Sequence, residues 1–205
     1  LGVYPGQKFL DEDFDFFALR DNVYNHQVLH IATHGEFLPG RANQSYLLLG
    51  TGQRLAIPDI ETWLNLQRID LVVLSACETA LGGQGLNGRE VAGIGYYFLK
   101  GGAQTVVASL WNVDERSTFL LMEEFYQNLA KGTLESPVTK AEALRQAQLA
   151  LLRGGDFDNQ NSIIDPSNSM RSQTRPSQPL TSTLDKSRFT HPFYWSPFII
   201  MGSGL

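Results

Sequence analysis

The sequence predicts an α/β fold, a mostly parallel sheet with helices packed on both of its faces. Three observations predict it. Short apolar runs alternate along the chain with longer segments of helical period. Several runs, LVVL among them, are hydrophobic at consecutive residues, as strands buried on both faces must be. Glycines stop the helical segments, at Gly101-Gly102, Gly132 and Gly154-Gly155.

In chain order, Leu1–His26 has room for one short strand and one helix. Gln27–Thr33 (QVLHIAT) is the first clear strand, and Tyr46–Leu49 is a short further one. Asp70–Ala76 (DLVVLSA) is the next clear strand. Asn87–Lys100 carries Val91, Ile94, Tyr97 and Phe98 at helical spacing and ends at Gly101-Gly102. Gln104–Leu110 (QTVVASL) returns to strand character. Glu115–Lys131 repeats Phe119, Met122, Phe125, Tyr126 and Leu129 on one helix face. Lys140–Arg153 follows Thr139, with Glu142 three residues on, the pattern of a capping box. Gly154–Thr190 then changes character. Of its 37 residues, 26 are Gly, Pro, Ser, Thr, Asn, Gln or Asp, which predicts a mobile or disordered surface loop. Pro197–Met201 (PFIIM) is the last strand.

The length of 205 residues suits a single domain over 1–205. With 42% hydrophobic residues the chain can bury a core. A net charge of −5, with no Lys/Arg cluster, argues against a nucleic-acid partner. No apolar run reaches the ~18 residues of a membrane span, and no signal-peptide pattern opens the chain. The single cysteine, Cys77, excludes an internal disulfide framework and any CxxC site. A reducing, cytoplasmic setting is expected. Because the chain opens on Leu1 and not on methionine, it is expected to be a piece of something longer.

Two strands end in reactive residues. VLHIATHG delivers His34 followed by Gly35, and LVVLSAC delivers Cys77. If these strands are parallel neighbours, both residues leave one sheet edge, the edge where open α/β sheets bind ligands. Adjacent strands lie ~4.8 Å apart, so an imidazole and a thiol at matching ends come within hydrogen-bond reach. A free thiol near its ordinary pKa is mostly protonated at neutral pH, and a neighbouring imidazole can take its proton. The amides of Gly35 and Cys77 are candidate oxyanion donors. Taken singly, a cysteine after an apolar strand is more often a small buried hydrophobe. The pair is what points to nucleophilic catalysis.

Five blocks in order carry a wider resemblance: THG at Thr33–Gly35, LVVLSACETALG at Leu71–Gly82, FLKGGAQTVVASLWNVDE at Phe98–Glu115, KAEALRQAQLALL at Lys140–Leu152 and HPFYWSPFIIMG at His191–Gly202. Together they resemble the CHAT family, a caspase-fold group related to separases and often attached to TPR repeats. The resemblance implies a caspase-like mostly parallel sheet and peptide-bond hydrolysis through an acyl-enzyme. It implies His34 as the catalytic histidine, Cys77 as the nucleophile, and the Gly35 and Cys77 amides as the oxyanion hole. It implies no cofactor, a protein substrate, and a TPR-type or other regulatory segment outside this chain. A catalytically silent scaffold or interaction module of the same fold is the alternative.

In the caspase fold, strands precede the histidine strand. The sheet here is therefore expected to lack its N-terminal strand or strands, which a separate N-terminal fragment would complete. An exposed sheet edge would then invite self-association.

The remaining signals are weaker. Glu78 beside the nucleophile is a candidate substrate-binding acid. Asp114 and Glu115 fit helix capping and a favourable first turn, with pocket roles as the alternative. Asn112 stands where a separase-like aspartate for arginine recognition is expected, so cleavage after apolar residues stays open. Gly83–Gly88 spells GxGxxG, but six residues separate it from the strand, against the dinucleotide fingerprint. His26, His30 and His34 recur every fourth residue, which on a strand spans ~13 Å, too far for one metal ion. His30 is thus expected to be a packed or sheet-face histidine, and no metal site is expected. Trp63, Trp111 and Trp195 are expected in the core or at a pocket rim, and His191 outside the catalytic pair.

Overall fold

The computed structural model describes residues 4–38, 41–75, 89–111, 114–133, 135–154 and 189–205, leaving aside the side chains of residues 89–93. The main sheet has four strands: β1 (Val28–Ile31), β5 (Leu71–Leu74), β6 (Thr105–Ser109) and β7 (Phe198–Gly202), in that spatial order. β1 pairs β5 and β5 pairs β6 in parallel, while β6 and β7 are antiparallel. The predicted mostly parallel α/β sheet is thus the observed one, and each predicted strand agrees with an observed strand to within two residues at either end.

Side-chain alternation along these strands divides the interior in two. Val72 and Leu74 of β5, with Val106 and Ala108 of β6, face one layer. That layer holds Leu19 and Val23 of α1 (Phe16–Val23), Ile57 and Ile60 of α2 (Ile57–Trp63), and Ile94 and Phe98 of α3 (Arg89–Lys100). Leu71 and Val73, with Val107, face the other layer. There they meet Leu121 and Phe125 of α4 (Glu115–Ala130) and Ala143, Leu144, Ala147 and Leu151 of α5 (Lys140–Leu152). All four β5 residues are buried, as a strand covered on both faces requires. Each such side chain contributes about 1.5–3 kcal/mol through area removed from water.

Helix ends follow local chemistry. The Asp114 carboxylate accepts from the Arg116 and Ser117 N–H groups and so caps α4. Thr139 Oγ1 accepts from the Glu142 N–H at 3.1 Å, the first half of the capping box. The second half is replaced: the Glu142 carboxylate binds Arg145 and Gln146 instead. These bonds hold its carboxyl down at about 2. The turn after α3 is fixed by Gly102, whose φ of +112° suits glycine and whose added Cβ would lie 2.8 Å from the Gln67 nitrogen. Lys140, buried at the start of α5, places Nζ 3.0 Å from Asp70 Oδ1 at the foot of β5.

Between β1 and β5 the chain builds a second, antiparallel sheet from β2 (Gly35–Glu36), β3 (Tyr46–Leu48) and β4 (Arg54–Ala56). Only β3 was expected from sequence. β2 and β4 are two and three residues long, too short to display a period. α2, seven residues with Pro58 and Asp59 in its first turn, was also unforeseen.

Residues 4–26 form a 3-10 turn (Asp11–Asp13) and α1, with no strand, and β1 has no described strand on its outer side. Most of the predicted loop, residues 155–188, lies outside the described residues. Its end corrects the composition reading, because Phe189 is buried against the α4–α5 layer. No helix among the described residues is long and apolar enough to cross a membrane.

Candidate active site

The parallel register of β1 and β5 runs from Val28↔Leu71 to Ile31↔Leu74, and the Ser75 N–H still donates to the Ile31 carbonyl at 2.9 Å. His34 is the third residue after Ile31, and Cys77 is the third after Leu74. Both strands end at the same carboxyl edge, and His34 and Cys77 stand at the same sequence distance from the last pair. Cys77 and Glu78 lie outside the described residues, as do Asn112 and the Gly83–Gly88 motif.

His34 is exposed on the short link from β1 to β2. Its backbone is held against β3: the Leu48 N–H donates to the His34 carbonyl at 2.8 Å, and Thr33 Oγ1 donates to the Leu48 carbonyl at 2.6 Å. The Leu48–His34 bond flanks Gly35↔Leu47, which makes that a non-hydrogen-bonded pair. The Gly35 N–H is consequently turned away from β3, the orientation an oxyanion donor needs. Gly35 is buried, and a Cβ there would lie 2.6 Å from the Phe37 ring and 3.0 Å from the Tyr46 carbonyl oxygen. Close packing thus demands glycine at this position.

β6 ends at the same edge, and Trp111 follows two residues later. Its Nε1 donates to the Phe193 carbonyl at 3.1 Å, and its ring stacks on Phe193 at 6.3 Å between centroids. Phe193 is 46% exposed, so the pair presents an apolar surface to solvent. Trp195 is tied to the Thr190 carbonyl, whereas Trp63 is exposed on α2 and belongs to neither core nor rim. Asp114 engages the start of α4 through Oδ1, and Glu115 is exposed in the first turn. His191 caps the 3-10 turn Pro192–Tyr194 by accepting from the Phe193 N–H at 3.2 Å.

One polar cluster escaped the sequence reading. On the α4 side of β1, His30 Nε2 lies 3.3 Å from Ser75 Oγ, and His30 Nδ1 lies 3.1 Å from the Tyr126 hydroxyl. The Tyr4 ring packs edge-on against Tyr126. His30 keeps a solvent-exposed flank, but the surrounding protein desolvates its imidazole and pushes the pKa down to about 4. Burial raises the Tyr126 phenol, with a smaller contribution from Tyr4. The three histidines do not converge: His26 Nδ1 bonds to the Asn22 carbonyl, well apart from the partners of His30. The parallel register carried the signal for this cluster, because His30 stands opposite Val73 and Ser75 is the next residue on that strand face.

A family model described as the CHAT domain matches residues 3–203 of the chain. No curated protein matches it.

Proposed function

The chain belongs to the CHAT family, a caspase-like, protease-related family, and on that premise we propose that it is a cysteine endopeptidase. Cys77 is the nucleophile and His34 the general base. His34 takes the thiol proton, and the thiolate attacks the carbonyl carbon of the scissile peptide bond. The oxyanion forms against the amides of Gly35 and Cys77. The intermediate collapses as the C–N bond breaks, and His34 returns the proton to the leaving amine. A water deprotonated by His34 then hydrolyses the thioester and frees the enzyme. No cofactor takes part.

The observation that carries this reading is the β1–β5 register, which gives His34 and Cys77 equal offsets beyond the last pair at one edge. The outward-turned Gly35 amide supports it. Glu78, Asn112, Asp114 and Glu115 are proposed to line the substrate pocket, with the Trp111–Phe193 pair as an apolar rim. The substrate is a protein, engaged in the cytoplasm under control of a TPR-type or other regulatory segment outside this chain. A separate N-terminal fragment would add to the outer side of β1.

The test is active-site labelling with a panel of peptidyl acyloxymethyl ketones that differ in the residue before the warhead. One adduct on Cys77, absent in His34→Ala, is expected, and the preferred residue reports the pocket. Failure of every basic, acidic and apolar member of the panel to label folded protein contradicts the proposal.

A further inference from the structure

We propose that the outward face of the small sheet seats the substrate, and that Arg54, held over the Tyr46 ring, binds an acidic side chain of the substrate close to the cut. This rests on the cysteine-peptidase reading, because it takes His34 as the base, and it names residues that reading does not use.

Burial alternates along the chain that enters β2: His34 is exposed, Gly35 buried, Glu36 half-buried and Phe37 buried. β3 and β4 alternate in the same way, with Leu47 and Leu55 in the core and Tyr46, Leu48 and Arg54 outside it. One face of the small sheet is therefore packed inward, and the other is turned towards solvent. Cross-strand partners sort the outward residues into two rows. Leu48 pairs with Arg54, and its N–H donates to the His34 carbonyl at 2.8 Å, so His34, Leu48 and Arg54 form the first row. Glu36 pairs with Tyr46 in the second. Neighbouring strands lie ~4.8 Å apart, which puts the Arg54 backbone ~10 Å from that of His34, about the span of three extended residues.

Arg54 is prepared for an anion. Its guanidinium carbon stands 4.3 Å from the centroid of the Tyr46 ring, a cation–π contact that restrains the long side chain while the residue stays exposed. Arg20 and Arg145 spend their donors on Asp21 and Glu142. No ion pair joins Arg54 to a carboxylate among the described residues, Glu36 on the same face included. A planar guanidinium with donors to spare accepts a carboxylate in bidentate fashion, and a side chain already restrained loses less freedom on binding. Leu48, between Arg54 and His34, is apolar and does not compete for the charge. In the competing interpretation the Arg54–Tyr46 contact is a surface staple, and substrate preference separates the two.

The experiment incubates the whole chain with a peptide library of random sequence and reads the cut sites by mass spectrometry. Wild-type protein is expected to enrich Asp and Glu over Asn and Gln at one position within about three residues of the cut, by roughly three- to tenfold. Arg54→Gln should abolish that enrichment, and Arg54→Glu should replace it with Lys and Arg. Tyr46→Leu, which keeps the guanidinium but removes the ring beneath it, should weaken the enrichment. On a fluorogenic peptide built from the enriched sequence, Arg54→Gln should raise KM more than it lowers kcat, and high salt should raise the wild-type KM as well. Cutting without acidic enrichment, or an enrichment that survives Arg54→Gln, would overturn the proposal and leave the dyad standing. A change in thermal unfolding of Arg54→Gln with no change in preference would mark the contact as a staple and overturn it too. His34→Ala measured alongside tests the underlying reading. If the wild-type chain makes no cut that His34→Ala abolishes, the peptidase reading fails and this proposal falls with it.

Discussion

His30 lies within β1, with a serine on one ring nitrogen, a tyrosine on the other and protein around it. His34, four residues later on the same segment, lies past the last strand pair, exposed to water, with its backbone pinned to β3. Both imidazoles reach solvent, but one stands inside the β1–β5 pairing and the other beyond its last pair. Desolvation of the first penalises its cationic form and pushes its pKa down to about 4. A general base must accept a proton and release it in each cycle, which requires a setting that tolerates the imidazolium. The depressed pKa of His30 fits that requirement poorly.

The comparison breaks most visibly in a pair of alanine variants. His34→Ala should lower kcat by roughly 10²–10⁴-fold, the usual weight of a general base, while urea unfolding shifts by no more than ~0.5 kcal/mol, as for an exposed site. His30→Ala should do the converse. It removes the shared partner of the Tyr126 and Ser75 hydroxyls, whose contacts reach solvent, and should destabilise the fold by about 0.5–1.5 kcal/mol, with a far smaller change in kcat. Equal activity losses from both variants would erase the distinction.

Gly35→Ala should cost about 1–3 kcal/mol by overpacking against Phe37 and Tyr46, together with a loss of turnover if the amide is an oxyanion donor. A thermally stable Gly35→Ala protein with full activity would remove Gly35 from the site.

The pH dependence of stability isolates His30. Its folded pKa of about 4 lies below the ordinary 6.5, so between these values the unfolded chain binds the additional proton. Stability should therefore fall as pH drops from about 6.5 towards 4, and this component is present in full above 6.5. Urea titrations of His30→Gln should lose that part of the slope, and those of His34→Ala should keep it.

The smallest effect sorts the roles of Asp114. Asp114→Ala should cost ~1 kcal/mol through loss of the α4 cap, and Asp114→Asn only a few tenths. If Asp114 also lines the pocket, Asn changes the preferred residue before the cut at nearly unchanged stability. If peptide-library profiles of the two proteins coincide, Asp114 is a cap alone.

The long elements were legible because burial imposes a pattern. β5 is apolar at every residue since both faces are covered, and α4 and α5 repeat apolar residues because one face of each is covered. The small sheet was not legible: β2 and β4 are fixed by partners in β3, a non-local cause that no local window contains. Phe189 was misplaced for a similar reason, one core residue at the end of a polar stretch. Within the candidate site, His34 and Gly35 were visible because an apolar strand ends on them. The Tyr126–His30–Ser75 chain joins residues 45 and 96 positions apart, and it required the register between β1 and β5. Trp63 shows the limit of residue type as a guide, being large, aromatic and 57% exposed.

The central claim is a working pair between His34 and Cys77, and the most direct measurement is the pH dependence of Cys77 alkylation in folded protein beside His34→Ala. A single cysteine gives a single signal. Fast alkylation that persists well below pH 8 and is lost in His34→Ala is the predicted result. Reactivity that follows an ordinary thiol and is unchanged by the substitution would contradict it.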